Sequence, residues 1–421
     1  MPPLDASQLP PSTLFFLLAT VVKMLAIFTL YMVVVAYTTL AERKVSAWIQ
    51  DRHGPNRVGP WGLLQVAADG LKNFMKEETM PGDVYKPLFI LAPALAFCSA
   101  MIAWAVIPFG APLPTPWGRI DLVVADLPIG FLYVLAITSL GVYGIVLAGW
   151  SSNNKYALLG GLRSSAQMIS YEIAMGMSTV CVLLVAGNVS LNAIVAQQVA
   201  TGWNVLILSI AAFIFLVAAF AETNRVPFDL PEAESELIAG YHAEYSGMKF
   251  SMFFIAEYAN VLTASALFVS LFFGGWDIPF TRWDNAGPAT VTKSLLTVAM
   301  FGFKTYSCVL FYIWIRWTLP RFRYDQLMSL GWKFMLPLAL VYIVIVASAI
   351  LGLDAAGVAR TGWAFKGAMG SINLVLLILL FFVIDRGRLI SPASSRIDRE
   401  RVARIRRATD TRSTLGSGEA H

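Results

Sequence analysis

Residues 221–258 read AETNRVPFDLPEAESELIAGYHAEYSGMKFSMFFIAEY, a run rich in carboxylates between two long apolar stretches. Only Arg225 and Lys249 offset its acids. Crowded carboxylates repel one another when ionised and take up or release protons as a set. The run therefore predicts a proton-handling or cation-handling site. Its acidic residues are Glu222, Asp229, Glu232, Glu234, Glu236, Glu244 and Glu257.

The composition sets the environment of this run. Hydrophobic residues make up 57% of the chain and charged residues 14%, and the mean hydropathy is +0.66. These values are typical of an all-α, polytopic transmembrane helix bundle. Apolar runs of roughly 20 residues, enough to cross a bilayer core of about 30 Å, predict nine spans. They lie near 14–40, 88–109, 129–150, 165–186, 204–221, 252–274, 298–318, 333–353 and 369–385.

The distribution of basic residues predicts the orientation. Of the 31 Lys and Arg residues, 24 fall on one set of loops and the C-terminal tail, and five fall on the opposite loops. The positive-inside rule then places the N-terminus outside and the C-terminus in the cytoplasm. We expect cytoplasmic loops at 41–87, 151–164, 222–250 and 319–332 in a membrane domain over 1–353. An extra span at 354–385 and a flexible basic tail at 386–421 follow.

Cysteine and histidine usage argues against a redox centre on this chain. Cys98, Cys181 and Cys308 are widely spaced in or near apolar runs, so no paired ligands for zinc or an iron–sulfur cluster are evident. The histidines all fall outside the predicted spans, and there is no phosphate-binding glycine loop. We expect no metal and no bound cofactor here, and any redox centre would lie on a partner.

The first predicted loop carries alternating charge and an amphipathic segment. Glu42, Arg43 and Lys44 stand at the membrane edge, and apolar residues from Leu63 onward keep helical spacing. The segment reads as a helix lying in the membrane interface. A plain surface anchor explains this helix well, but it explains Asp69 less well, because Asp69 lies near a turn rich in glycine and proline.

Ionisable residues also occur within the predicted spans. Glu172, Glu257 and Lys304 stand at membrane depth, where charges are costly and usually face a cavity or a partner. A purely structural Glu–Lys pair is the alternative, with Lys304 as counter-ion to either acid. A compact group of charged residues after the seventh span suggests that this segment bonds to another loop or to another protein. Its charged residues are Arg316, Arg321, Arg323 and Asp325.

Several strings together resemble one family over most of residues 14–353. They are AERKV with GPNRVGPWGLLQ, then AETNRVPFDLPEAESEL with EYSGMKF, then PRFRYDQLM. They are similar to the H-subunit family of bacterial NADH:quinone oxidoreductase, respiratory complex I. Val66 departs from the family pattern, since many relatives have proline there.

The resemblance implies a membrane subunit that joins the hydrophilic arm to the membrane arm and forms much of the chamber through which quinone enters. By similarity, Glu42, Arg43, Lys44 and Asp69 border the chamber. The acidic loop lies beside it, and Glu172 and Glu257 continue a polar path into the membrane. Quinone is the implied substrate. Iron–sulfur clusters and FMN are implied on partner subunits, and the bacterial cytoplasmic membrane is the implied location.

Two other functions fit the same acids. A self-sufficient cation/proton antiporter would also bury carboxylates, although such transporters often show internal repeats and none is evident here. A structural anchor for the hydrophilic arm is the second alternative. Replacing several of the acids by amides would distinguish the structural anchor from the other functions, because only the anchor should tolerate the change.

Overall fold

The computed structural model describes residues 13–116, 118–229, 240–279, 281, 283, 290–360 and 362–385. Over these residues the chain is 76% helical, and the sheet content is one short hairpin, Leu113–Thr115 (β1) with Gly118–Ile120 (β2). The predicted all-α membrane bundle is therefore confirmed.

The described part of the chain contains thirteen α-helices. In chain order they are α1 Thr13–Ile49, α2 Gln65–Met75, α3 Lys86–Ile102, α4 Gly130–Ser151, α5 Lys155–Ala186, α6 Leu191–Thr201, α7 Asn204–Ile207, α8 Ser209–Glu222, α9 Gly247–Phe272, α10 Val291–Thr318, α11 Tyr324–Ser329, α12 Leu336–Ala355 and α13 Trp363–Asp385. A six-residue π-helical turn, Leu330–Met335, joins α11 to α12.

Eight helices of the described part are long and apolar enough to cross a membrane, against the nine spans predicted. The difference is the fifth predicted span, 204–221, which is divided at Leu208 between α7 and α8. The 14 residues of α8 extend only about 21 Å at 1.5 Å per residue. This helix is shorter than a bilayer core of about 30 Å, and hydropathy alone did not reveal the break.

Three of the predicted loops are partly helical. The helix α1 continues to Ile49, and α5 begins at Lys155, so most of the predicted loop 151–164 is helix. The interfacial helix expected from Leu63 is present as α2 and begins at Gln65. The loop predicted at 319–332 contains α11.

Small residues let the helices approach closely. At Gly144 of α4, an added Cβ atom would lie 2.9 Å from the Ala92 carbonyl oxygen of α3. At Gly149 it would lie 2.6 Å from the Ala157 carbonyl oxygen of α5. In membranes, where apolar burial between helices provides little driving force, such close contact is a principal source of association. The helices α3, α4, α5 and α8 pack in that sequence of neighbours.

The helix α9 lies at the centre of the packing and contacts α1, α3, α8 and α10. Every residue from Val261 to Phe272 is buried. A helix that is buried on all sides can hold polar groups away from lipid, and Glu257 and Tyr258 lie one turn before this stretch. The chain divides at Gly370 into a unit ending there and a second unit from Ser371 onward.

Candidate functional site

Arg225 stands at the centre of a buried ionic cluster. It follows α8 directly, and its Nη1 lies 3.3 Å from Glu42 Oε2 of α1. Its Nε lies 2.8 Å from Glu257 Oε1 of α9. The side chains of Arg225 and Glu42 are both only 7% exposed, and that of Glu257 is 15% exposed. The guanidinium group therefore bridges two carboxylates that come from different helices.

The neighbouring carboxylates decide the charge of Arg225. Burial alone would lower the pKa of this side chain, but Glu257 and Glu42 outweigh it and raise the pKa above its ordinary value. Arg225 is accordingly a permanent positive charge, and any proton exchange in the cluster belongs to the acids.

Two more side chains complete the surroundings of Glu42. Tyr258 donates a hydrogen bond from its hydroxyl to Glu42 Oε2 at 2.6 Å, and its ring lies 4.1 Å from the Arg225 Cζ atom. Arg316 of α10 pairs with Glu42 Oε1. The Arg316 side chain is 33% exposed, so it connects the buried cluster to the surface. A cavity of about 10 Å³ lies among these groups, which is about the room that one water needs.

A second acid lies beyond Glu257. Glu257, Thr223, Asn260 and Glu222 line a cavity of about 30 Å³. Glu222, Thr223 and Asn260 also line a cavity of about 20 Å³ that reaches Thr138 of α4. Both volumes exceed what one ordered water requires. Glu222 thus borders two small cavities with mixed polar and apolar walls, and one of them also reaches Glu257 of the ionic cluster.

Glu172 of α5 extends this series of acids. It lies near enough to Glu222 for the two carboxylates to interact electrostatically. The side chain is half-buried in the middle of a 32-residue helix. The structure therefore brings together Glu42, Glu257, Glu222 and Glu172, with Arg225 between the first two.

The segment that carries Arg225 is held by a buried side-chain amide. Gln167 of α5, which is fully buried, donates from Nε2 to the Ala221 carbonyl at 2.8 Å and to the Phe228 carbonyl at 2.6 Å. The same nitrogen lies 3.1 Å from Asn224 Oδ1. Asn224 adopts a left-handed φ of 51°, a conformation that asparagine tolerates better than most residues. Gln167 fixes both ends of the turn around Arg225.

The acidic loop and the segment after α10 are bonded together. Arg321 Nη2 donates to Asp229 Oδ2 at 2.7 Å, and the Phe322 amide donates to the Pro227 carbonyl at 3.1 Å. Tyr171 donates from its hydroxyl to the Leu327 carbonyl at 2.9 Å. The loop that follows α8 therefore makes direct contact with the arginine-rich segment.

Several predicted site residues lie at the surface, away from the cluster. Arg43 and Asp69 form an exposed ion pair with a 2.5 Å separation, and Lys44 Nζ donates to the Trp61 carbonyl at 2.6 Å. These bonds tie the end of α1 to α2 and to the turn before it. Glu42 points away from Arg43 and Lys44 and joins the buried acids instead. Glu244 accepts a hydrogen bond from Asn154 Nδ2 at 2.7 Å.

The remaining predicted site residues are not part of the buried ionic cluster that the structure describes. Arg323 and Asp325 are exposed at the beginning of α11. Glu232, Glu234 and Glu236 lie outside the described residues. In the part of the chain that the structure describes, no group of His, Cys, Asp or Glu could hold a metal ion.

Lys304 is not the counter-ion of Glu257. Its Nζ donates to the backbone carbonyls of Phe273 and Asp277 at 2.7 and 2.6 Å, beyond the end of α9. Sixteen residues separate Glu257 from Phe273, about 24 Å along a helix. Arg225 neutralises Glu257, and Lys304 stabilises the carbonyls at the far end of the same helix.

Sequence reasoning missed Tyr258 and Gln167. Tyrosine in an apolar span is a weak signal, since its ring packs like a hydrophobic residue and only its hydroxyl needs a partner. The position of Tyr258 beside Glu257 was the available clue. Gln167 lies in an apolar run with no distinguishing motif, and its role depends on residues more than 50 positions away.

The fold and the site together define a polytopic helical membrane protein with a buried network of carboxylates and guanidinium groups. A family model named NADH dehydrogenase matches residues 22–347, and the chain belongs to that family. The match ends before α13.

Curated relatives agree with this assignment. An H subunit of NADH-quinone oxidoreductase from Cytophaga hutchinsonii is 49% identical over 80% of this chain and 98% of the relative. The H subunit of NADH-quinone oxidoreductase from Leptospira biflexa is 50% identical over 79% of this chain and 94% of the relative. NADH-quinone oxidoreductase subunit 8 of Rhodothermus marinus is 51% identical over 73% of this chain and 90% of the relative.

Proposed function

We propose that this chain is a membrane subunit of a bacterial NADH:quinone oxidoreductase and couples quinone reduction to proton translocation without carrying a redox centre. The observation that carries the coupling proposal is the series Glu42–Arg225–Glu257, continued to Glu222 by a small cavity that Glu257 and Glu222 both line. Membrane-embedded carboxylates in contact with cavities are typical of proton pathways. The names of the relatives support the assignment to this enzyme.

The quinone chamber would lie beside the end of α1. Arg43, Asp69 and α2 are joined there by an exposed ion pair, and Leu71, Phe74 and Met75 of α2 are exposed apolar side chains suited to the membrane interface. Glu42 belongs to the same end of α1 but faces the buried cluster. A change of charge on a quinone in this chamber would change the electrostatic potential at Glu42, because Glu42 lies within one helix turn of the chamber residues at the end of α1.

The coupling step would be a redistribution of protons among the acids around Arg225. Because Arg225 stays positive, it favours a negative charge on Glu42 and on Glu257. If Glu42 or Glu257 gains a proton, the ion pair between that acid and Arg225 weakens. Arg225 then pairs mainly with the acid that is still ionised. The bonds of Asp229 to Arg321 and of Gln167 to the Arg225 turn would transmit that change to the acidic loop.

The setting of the subunit follows from the same proposal. The N-terminus would lie outside and the C-terminus in the cytoplasm of a bacterial cytoplasmic membrane. Iron–sulfur clusters and FMN would be held by partner subunits of the hydrophilic arm, and small and antiporter-like subunits would adjoin it in the membrane. This chain would bind quinone as substrate and membrane lipid, with no cofactor of its own.

Affinity purification of the tagged chain from native membranes tests the assembly. We expect iron–sulfur and antiporter-like subunits to co-purify with NADH:quinone reductase activity that quinone-site inhibitors block. Recovery of a lone chain that moves cations in liposomes would replace this proposal with the antiporter.

The coupling role is tested by Glu222→Gln in the assembled complex, with Glu244→Gln as the matched control. Both substitutions remove one carboxylate, but Glu244 lies in a loop against Asn154 and outside the buried series. We expect Glu222→Gln to reduce proton pumping at least tenfold and Glu244→Gln to preserve it. Equal, unimpaired pumping in both variants would remove Glu222 from the pathway.

A further inference from the structure

Asn260 of α9 lies between the two small cavities of the acidic series. It lines the cavity of about 30 Å³ that Glu257 also lines, and the cavity of about 20 Å³ that reaches Thr138 of α4. Glu222 and Thr223 border both cavities as well. On α9, Asn260 is the residue that the two cavities share.

One face of α9 forms the walls of these cavities. Around Asn260 the neighbours on this face are buried, since Ala256 is 3% exposed, Thr263 2% and Ala264 7%. Asn260 itself is half-buried. Because packed protein covers its neighbours, the accessible surface of Asn260 faces the cavities and not the lipid. The wall residues recur at the three- and four-residue spacing of a helix face and include Ala256, Glu257, Asn260, Thr263, Ala264 and Leu267.

The side-chain amide of Asn260 makes no hydrogen bond to any other residue that the structure describes. A carboxamide can donate two hydrogen bonds and accept two. The side-chain oxygens of Gln167 and Asn204 also lack a partner, but they are sealed from any water-sized contact, whereas the Asn260 amide atoms keep accessible surface. Polar groups inside proteins ordinarily bond to protein or to ordered water. The Asn260 amide is therefore suited to bind water in the cavities.

Neighbouring polar side chains in the walls are already bonded to the protein. The Thr223 hydroxyl donates to the Ala219 carbonyl at 3.0 Å. Asn224 Nδ2 lies 3.2 Å from the Ser164 hydroxyl, and Asn224 Oδ1 lies 3.1 Å from Gln167 Nε2. Each cavity has room for at least one water, which needs about 10–15 Å³ and two to four polar partners. Asn260 and the two acids supply such partners.

We propose that Asn260 is a positioning residue that holds water between Glu257 and Glu222, and that protons pass between these acids through this water. The inference rests on the proposed function and deepens it. A protonated Glu222 gives its proton to the water, and the water gives another of its protons to an ionised Glu257. One carboxylic acid becomes a carboxylate, the other carboxylate becomes an acid, and the water is regenerated.

The amide takes no proton in this step. It presents both a donor and an acceptor and carries no net charge, so it can hold the water in either orientation. The transfer can therefore run from Glu222 to Glu257 or in the reverse direction. A carboxylate at position 260 would instead add a third negative charge beside the two acids.

Valine and threonine at position 260 separate polarity from shape. The two side chains have nearly the same form, and only threonine has a hydroxyl that can bond to water. Asn204→Val is the matched control for loss of a buried asparagine. Asn204 is fully buried, its Nδ2 donates to the Leu271 carbonyl at 3.0 Å, and it lines neither cavity.

The experiment measures protons translocated per NADH oxidised by the purified complex in sealed liposomes, together with thermal inactivation. We expect about fivefold fewer protons from Asn260→Val, the effect of one neutral hydrogen bond, and a value within about twofold of wild type from Asn260→Thr. Asn204→Val should keep the wild-type stoichiometry even where its stability falls. A purely structural role of Asn260 would change thermal stability and leave the stoichiometry of both variants unchanged.

Glu222→Gln in the same assay separates this inference from the proposed function. If Glu222→Gln loses pumping while Asn260→Val keeps it, Asn260 does not hold the transferring water and the coupling proposal stands. If both variants pump like wild type, both proposals fail. Equal losses in Asn260→Val and Asn260→Thr, or the same loss in Asn204→Val, would also overturn the role of Asn260. If Asn260→Val does not assemble, Asn260→Ala takes its place, because alanine is smaller and also lacks a polar group.

Discussion

Arg225 and Tyr258 are stacked, with the guanidinium carbon 4.1 Å from the centre of the tyrosine ring. The hydroxyl of the same tyrosine donates a hydrogen bond to Glu42, which is also paired with Arg225. The face of the Tyr258 ring thus contacts the guanidinium group of Arg225, while its hydroxyl bonds to the carboxylate of Glu42. This arrangement binds α1, α9 and the segment after α8 into one cluster.

Replacing Arg225 by glutamine should destabilise the assembled complex strongly. The change leaves Glu42 and Glu257 buried without their shared cation, and breaking a buried pair in this way typically costs about 3–5 kcal/mol. Thermal inactivation of the purified complex measures the effect. Arg52→Gln is the control, because Arg52 is exposed and its side chain bonds to Gln50, two residues away. Equal inactivation temperatures for the two variants would contradict the central position of Arg225.

Substitutions at Tyr258 should have two separable effects. Tyr258→Phe removes the hydrogen bond to Glu42, worth about 1.5–3 kcal/mol for a charged acceptor, and keeps the ring over Arg225. Tyr258→Leu also removes the ring, with a further loss of about 0.5–2 kcal/mol. We expect the order wild type, phenylalanine, leucine in thermal stability. A leucine variant as stable as the phenylalanine variant would show that the stacking contributes nothing.

Gln167→Leu should loosen the turn that carries Arg225. It leaves the Phe228 carbonyl without the amide that now satisfies it, at about 1–3 kcal/mol. It also removes the shorter of the two hydrogen bonds to the Ala221 carbonyl, whose other donor is the Asn224 backbone amide. Limited proteolysis within the acidic loop is expected to become faster. Gln197→Leu on α6 is the control, since that amide bonds to the hydroxyl of Thr201 and not to this turn. Unchanged proteolysis in Gln167→Leu would argue against the proposed role.

The bond between Asp229 and Arg321 should contribute modestly. The side chains are 11% and 37% exposed, and pairs near the surface are worth about 0.2–1 kcal/mol. A double-mutant cycle with Asp229→Ala and Arg321→Ala, read by thermal inactivation, measures the coupling directly. We expect a positive coupling energy in that range that decreases with added salt. Strictly additive effects would mean that the two loops are not joined by this pair.

The fold was largely predictable from the sequence, because apolar runs of sufficient length specify membrane helices. The failure at the fifth span has a local cause. Leu208 interrupts the helix between two apolar segments, and no proline or charge marks the break. The helical beginning of α5 was also missed, since its first turns contain Gly160, Gly161 and polar residues that lower the hydropathy.

The acids of the site were identifiable from the sequence, but their pairing was not. Glu42 and Arg225 are 183 residues apart, and the packing of both α1 and α8 against α9 brings them together. Lys304 appeared to be a suitable counter-ion because it stands in a span, whereas its place in space is set by the end of α9. Charge pattern identifies ionisable residues at membrane depth, and tertiary structure decides which of them meet.

The measurement that tests the coupling most directly is the number of protons translocated per NADH oxidised by the Glu257→Gln complex in sealed liposomes. Glutamine keeps the shape of the side chain and removes its ability to exchange a proton beside Arg225. We expect proton translocation to fall at least tenfold, with the complex still assembled. Wild-type quinone reduction together with wild-type proton stoichiometry would contradict the coupling role of the buried acids.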